Sequence, residues 1–263
     1  MLRCSTVLLT GASSGIGRAL ALALAAPGVV LHLGGRDAAR LEAVAADCRA
    51  RGAEARPYAI DVTDAAGMAG WIAGGGRLDL VIANAGISAG SFGAAAETAA
   101  QTRAIFAVNL DGMLNTALPA LAAMRAQPPG ADGLRGRIAV VASIAAFVAA
   151  PGAPSYCASK AAADAWAVGT APLARQQGIA ITSICPGYIR TPMTAGNRFP
   201  MPGLMDAERA AAVILRGIAA GRGRVAFPWW MAAAAQLAGA LPPALTDRLA
   251  GGVPGKARLP SSG

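Results

Sequence analysis

Short apolar runs recur along the chain at Val7–Leu9, Val29–Leu33, Ala59–Ile60, Leu78–Ala83, Ile138–Ala142 and Ala180–Ile184. They are continuous rather than alternating. That pattern fits strands covered on both faces of a parallel sheet. Between them lie Ala-rich stretches of helical length: Gly15–Ala26, Asp37–Arg51, Asp64–Ala73, Glu97–Ala126 and Ser155–Gln177. Arg224–Phe227 reads as a final strand. The alternation predicts one doubly wound α/β domain with right-handed crossovers. Pro128–Gly133 predicts a surface loop, and Gly251–Gly263, rich in Gly, Pro and Ser, a poorly ordered tail.

Composition narrows the chemistry. The 263 residues, 55% of them hydrophobic, suit one large folded domain and exclude a disordered chain. The charge of +9 raises nucleic acid as a partner. No Lys/Arg-rich 5–8-mer supports it, and only Lys160 and Lys256 are lysines, so the Arg excess reads as coding bias. His32 is the sole histidine and sits inside an apolar run. That disfavours His-based zinc sites and a Ser-His-Asp triad, and no metal is expected. Cys4, Cys48, Cys157 and Cys185 show no CxxC spacing. They read as reduced thiols of a cytoplasmic protein. The first apolar run is too short for a secretory core segment.

Three segments carry candidate chemistry. Thr10-Gly11-Ala12-Ser13-Ser14-Gly15-Ile16-Gly17 joins the first strand to the first helix. Glycines there let the backbone approach a pyrophosphate, and the free N–H groups of a helix start attract anions. A structural turn is the plain alternative. Asn84-Ala85-Gly86 ends the fourth strand, and with the first turn it would flank the crevice where strand order reverses. Ser143 follows the fifth strand. Tyr156 and Lys160 lie four apart at a helix start, so they share one face. An ammonium near a phenol favours the phenolate and would bring Tyr156 toward useful acid/base chemistry. A lysine used where arginine is habitual points to work a guanidinium cannot do.

In order and spacing, the Thr10–Gly17 run, Asn84-Ala85-Gly86, Ser143, Tyr156-x3-Lys160 and Pro186-Gly187 resemble the short-chain dehydrogenase/reductase family over roughly residues 5–227. The resemblance implies a Rossmann-type domain over residues 1–250 with a mostly parallel, roughly seven-stranded sheet flanked by helices. It makes Tyr156 the general acid/base, Lys160 the lysine that lowers its pKa and holds the nicotinamide ribose, and Ser143 the residue that orients the substrate carbonyl. Asn109 becomes the asparagine that keeps a helix kinked around a relay water. Gly11, Ser14, Gly15, Ile16, Gly17, Asn84, Ala85 and Gly86 fall to the cofactor. Asp61 and Val62 match the pair that recognises adenine. Pro186, Gly187, Ile189 and Thr191 match the nicotinamide segment. Homodimers or homotetramers are the family habit.

Charge argues the cofactor. The second strand ends at Gly35-Arg36 rather than in an acid. A guanidinium there suits a 2′-phosphate, which favours NADP(H) and leaves NAD(H) open. The family pattern adds Ser13 beside Arg36. Asp37 either caps the next helix or blunts the selectivity. The expected reaction is hydride transfer between nicotinamide and a carbonyl or secondary alcohol of a hydrophobic small molecule: a ketone, an aldehyde, a 3-oxoacyl or a sterol-like compound. The rival is a catalytically silent cofactor-binding sensor or scaffold.

The variable lid is expected within about 190–220, with Met193–Met205 apolar, while the loop Ile87–Ala96 is small and leaves space. Val225–Leu245 has no charge. It reads as packing on the body or a neighbour, or as peripheral membrane contact, since Trp favours bilayer interfaces. Residues 1–164 hold 13 basic and 11 acidic groups; residues 165–263 hold 10 and 3. The basic side therefore adjoins that uncharged segment.

Overall fold

The computed structural model describes residues 4–91, 96–197, 199–242 and 245. The expected tail 251–263 and domain end at 250 lie outside the described residues. In chain order the elements are β1 (Thr6–Thr10), α1 (Gly15–Leu24), β2 (Val30–Gly35), α2 (Ala38–Arg49), β3 (Glu54–Ala59), α3 (Ala65–Ala73), β4 (Leu80–Ala83) and α4 (Ala99–Phe106). A π-helical turn (Ala107–Asp111) leads into α5 (Gly112–Ala126), followed by β5 (Gly136–Val141), a 3₁₀ turn (Ile144–Phe147), α6 (Pro154–Gln176) and β6 (Ile179–Pro186). Then come β7 (Ile189–Arg190), α7 (Pro192–Ala195), β8 (Met205–Asp206), α8 (Ala207–Ala219), β9 (Arg224–Phe227) and α9 (Trp229–Gly239).

Seven strands form one sheet in the order β3-β2-β1-β4-β5-β6-β9. Every pairing in it is parallel. Alternate residues face opposite layers. Val7 and Leu9 of β1 join Leu20, Leu33, Leu41 and Ile214 beneath α1, α2 and α8. Leu8 joins Met68, Ile72, Met124, Ile138 and Ile181 beneath α3, α5 and α6. The order reverses between β1 and β4, which opens the crevice at the strands' carboxyl ends.

Three elements differ from the pattern. β3 starts at Glu54, not at Ala59, because an edge strand can expose Glu54, Arg56 and Tyr58 and hold Pro57. The helix expected over Glu97–Ala126 starts at Ala99, and the π-helical turn at Ala107–Asp111 divides it into α4 and α5. The later part of the expected lid is α8. Its apolar stripe, Ala207, Ala210, Ala211, Ile214 and Ile218, is buried in the layer shared with α1. Gly217 brings α8 onto β9, where a Cβ would meet Val225 at 2.3 Å.

The uncharged C-terminal segment divides in the same way. Val225, Phe227 and Ala232 are buried, while Trp229 and Leu237 are 78% and 73% exposed. Among the described residues, the helical stretch long and apolar enough to cross a membrane is instead Ala99–Ala126. One face of it, including Ile105, Asn109, Met113, Ala117 and Met124, is buried in the fold.

Candidate active site

A single cavity of about 1540 Å³ runs from the β1–α1 turn across the sheet's switch point to α9. Its first half is built from glycine. Gly11 and Gly15 adopt φ +65° and +53°, which favour glycine. A Cβ on Gly17 would lie 2.0 Å from the Gly11 carbonyl oxygen, so the turn closes tightly on the start of α1. Asn84 Nδ2 donates to the Thr10 and Gly11 carbonyls at 3.0 and 3.2 Å. Thr10 Oγ1 accepts the Asn84 and Ala85 amides at 3.0 and 3.2 Å. Those bonds lock the two crevice turns together. The Ser14 side chain makes no capping bond to α1, so the first-turn amides remain directed at the groove where an anion would sit.

Farther along the groove, Arg36 holds a side chain 68% exposed, 3.9 Å from Asp61. Ser13 Oγ lies 3.5 Å from where a Gly35 Cβ would stand, which puts it beside the end of β2 that leads into Arg36. Asp37 is engaged elsewhere. It caps α2 by accepting the Arg40 amide at 2.9 Å and pairs with Arg40 Nε at 2.7 Å. Those bonds hold its carboxyl below the usual range. Asp61 Oδ1 accepts both the amide and the hydroxyl of Thr63 at 2.9 Å, and Val62 lines the same wall. The glycine cradle, unengaged helix start and exposed guanidinium together fit a dinucleotide phosphate chain.

The second half holds the candidate chemistry. Ser143 ends β5's carboxyl side and starts the 3₁₀ turn, its Oγ accepting the Ala145 amide at 3.1 Å. Ser143 also hydrogen-bonds the Tyr156 phenol. Burial pushes that phenol above its ordinary value; the Ser143 bond opposes the rise, and Cys157 and Tyr188 add to it. This reverses the direction expected from Lys160, because desolvation disfavours the phenolate more than its neighbours favour it. Lys160 is itself buried, and its Nζ donates to the Val141 carbonyl at 2.8 Å. A Cβ on Gly86 would lie 3.3 Å from that Nζ and 3.2 Å from Asn109 Oδ1.

Asn109 stands in the π-helical turn behind the cavity wall. Its Oδ1 accepts the Ile87 amide at 2.8 Å, and its Nδ2 donates to the Ile87 carbonyl at 2.9 Å and to Ser159 Oγ at 3.1 Å. Ser159 in turn donates to the Tyr156 carbonyl at 2.8 Å. One buried asparagine thus ties the loop after β4 to the helix that carries Tyr156 and Lys160. The extra residue of the π turn turns this side chain inward.

Pro186, Gly187, Ile189 and Thr191 line the cavity beyond β6, as do Ser143, Tyr156, Lys160 and every residue assigned above to the cofactor. Asn109 is the one predicted site residue that supports the wall rather than lining it. Sequence reasoning missed Ser159, although it lies inside the Tyr156–Lys160 segment. It also missed the wall made by Met231, Ala234, Ala235 and Ala238 of α9. Their spacing of three and four is a helical stripe that could have shown this face.

Fold and groove define a dinucleotide-binding α/β protein of the doubly wound class. The model of the short chain dehydrogenase family matches residues 5–200. The chain belongs to that family and is an NAD(P)-dependent oxidoreductase. It is 36% identical over 249 residues to an uncharacterized oxidoreductase of Myxococcus xanthus, covering 93% of this chain and 96% of that one. It is 33% identical over 190 residues to a monensin polyketide synthase putative ketoacyl reductase of Streptomyces virginiae, covering 71% of each. Among solved structures, a short-chain dehydrogenase from Sphingobium yanoikuyae in complex with NADPH superposes with a TM-score of 0.77 at 27% identity, over 91% of this chain and 97% of that one.

Proposed function

We propose that the chain uses NADP(H) to interconvert a carbonyl group and a secondary or primary alcohol on an apolar small molecule, with Tyr156 as the general acid/base. The observation that carries this reading is that Ser143, Tyr156 and, one helical turn on, the buried Lys160 line one cavity together with the glycine cradle. When bound, the dinucleotide supplies or accepts the hydride. Ser143 positions the substrate oxygen against Tyr156. The phenol, kept protonated by burial, gives that oxygen its proton during reduction and takes one back during oxidation. Lys160, fixed by the Val141 carbonyl, would hold the cofactor's sugar through its ammonium. Asn109 and Ser159 fix the backbone on which Tyr156 stands.

Arg36 and Ser13 support a 2′-phosphate, hence NADP(H) over NAD(H). The engagement of Asp37 with α2 and Arg40 removes the acid that would oppose it. NADPH in the Sphingobium relative is consistent with that choice. Four buried free cysteines fit a cytoplasmic setting. Exposed Leu118 on α5 and Leu173 on α6 offer apolar surface to a second copy in a homodimer or homotetramer. The outward face of α9, with Trp229 and Leu237, supports peripheral membrane contact. Loss of NADPH absorbance with a panel of ketones and aldehydes tests the enzyme against a silent sensor. No consumption with any of them would favour the sensor.

A further inference from the structure

The substrate half of the cavity has a long wall made by one helix. Met231, Ala234, Ala235 and Ala238 line it at spacings of three and four, with Leu241 just past the helix end, so the cavity follows α9 along its length. The helix is seated at both ends. Met231 Sδ lies 2.9 Å from where a Gly187 Cβ would stand, beside the turn that follows β6. Gly239 approaches so closely that a Cβ there would lie 1.9 Å from the Phe147 carbonyl oxygen, in the 3₁₀ turn that begins after Ser143. α9 is thereby pinned to the two segments that frame the candidate reaction centre.

The chemistry of this wall is uniform. Among the described residues, the charged ones that line the cavity, Arg36, Asp37, Arg40, Asp61 and Lys160, belong to the cofactor groove or to the tyrosine helix. Val148–Pro151 and Phe199, Pro200 and Pro202 line the same cavity. Three alanines in the middle of the stripe leave space where larger side chains would fill it. From Met231 to Ala238 the helix advances about 10.5 Å. A zigzag of ~1.5 Å carbon–carbon bonds advances about 1.25 Å per atom, so that length matches roughly eight carbons.

Resting on the carbonyl–alcohol reading above, we propose that α9 is a rail for an unbranched alkyl chain. The substrate carries its reacting carbonyl or alcohol carbon near one end. Its aliphatic tail lies along Ala234, Ala235 and Ala238 and leaves the protein near Leu241. Ala235 and Ala238 set the chain length accepted, and a larger side chain at Ala235 cuts the rail shorter than one at Ala238. A compact polycyclic substrate would fill the width of the cavity without following the helix.

The test is a series of 2-alkanones from butanone to undecanone, reduced with NADPH. In parallel, the matching 2-alcohols are titrated calorimetrically against the protein loaded with NADP⁺. Each added CH₂ is expected to raise kcat/KM and tighten alcohol binding by roughly two- to fourfold until the rail is full. The ratio of long- to short-chain kcat/KM should fall at least tenfold in Ala235→Leu and Ala238→Leu. The cut-off should come at a shorter chain in the first than in the second. Ala233→Leu, on the outward face, should keep the wild-type ratio. Turnover without a length trend, or equal cut-offs in the two variants, overturns the rail and leaves the reductase reading standing. If no alkanone is turned over, the reductase reading is decided by the ketone and aldehyde panel above. Alcohol binding then decides the rail alone: a length trend lost in Ala238→Leu supports it, and a flat series overturns it.

Discussion

At the scale of single residues, the informative positions are those whose alternatives the geometry separates. Asp37 could cap α2 or oppose a 2′-phosphate, and its two bonds to Arg40 place it at the cap. Arg36, exposed and only 3.9 Å from Asp61, keeps its guanidinium available to the groove. Arg36→Ala should therefore raise the Kd for NADPH about tenfold or more, the scale of a lost charge-assisted bond. It should change the Kd for NADH little; equal losses for both dinucleotides would remove the 2′-phosphate argument. Tyr156, Lys160 and Ser143 were legible because one of only two lysines in an arginine-rich chain stands out. The direction of the phenol's shift was not, since desolvation depends on what the fold lays over the ring.

At the scale of elements, strands buried on both faces were readable from their unbroken apolar runs. β3 was not, because one side of an edge strand meets water and its sequence looks like a loop. The π-helical turn was equally hidden, since no apolar period marks one added residue; only the Asn109 bonds to Ile87 show why it is there. β2 carries a separate consequence. His32 is buried beside Arg56 of β3, and its Nε2 has no hydrogen-bond partner among the described residues. Burial first, then Arg56, push its pKa below the ordinary value, while Glu54 opposes them. The unfolded chain thus binds the proton more readily than the folded one. Stability should hold above pH ~6.5 and fall as pH drops below it. Thermal unfolding at pH 7.5 and pH 5 should show this loss in the wild type and a smaller loss in His32→Leu. An unchanged pH dependence in the variant would assign the loss to other groups.

At the scale of the whole molecule, the charge asymmetry survives in altered form. The count divided at residue 164 separates an ion pair whose acid is buried. Asp164 on α6 takes Arg224 of β9 in two contacts of 2.9 and 2.6 Å and also accepts from Ser183 Oγ at 2.6 Å. Arg190 pairs with Asp206 at 2.9 Å. Part of the C-terminal positive charge therefore holds the fold together rather than facing a partner. What remains lies in the same part of the chain as the outward face of α9, with its exposed Trp229 and Leu237. Co-sedimentation with vesicles rich in phosphatidylserine should be reduced severalfold in the Trp229→Ser, Leu237→Ser double variant. Equal pelleting of both proteins would free that face for another role.

The central claim is that Tyr156 moves the proton. The direct measurement is the single-turnover rate of ketone reduction with Tyr156→Phe, together with NADPH binding by fluorescence. The variant should lose ~10²–10⁴-fold in rate, the usual contribution of a positioned acid. Its Kd for NADPH should stay within about threefold of the wild type, because the phosphate cradle and Arg36 lie elsewhere in the cavity. Reduction at the wild-type rate in that variant would contradict the mechanism.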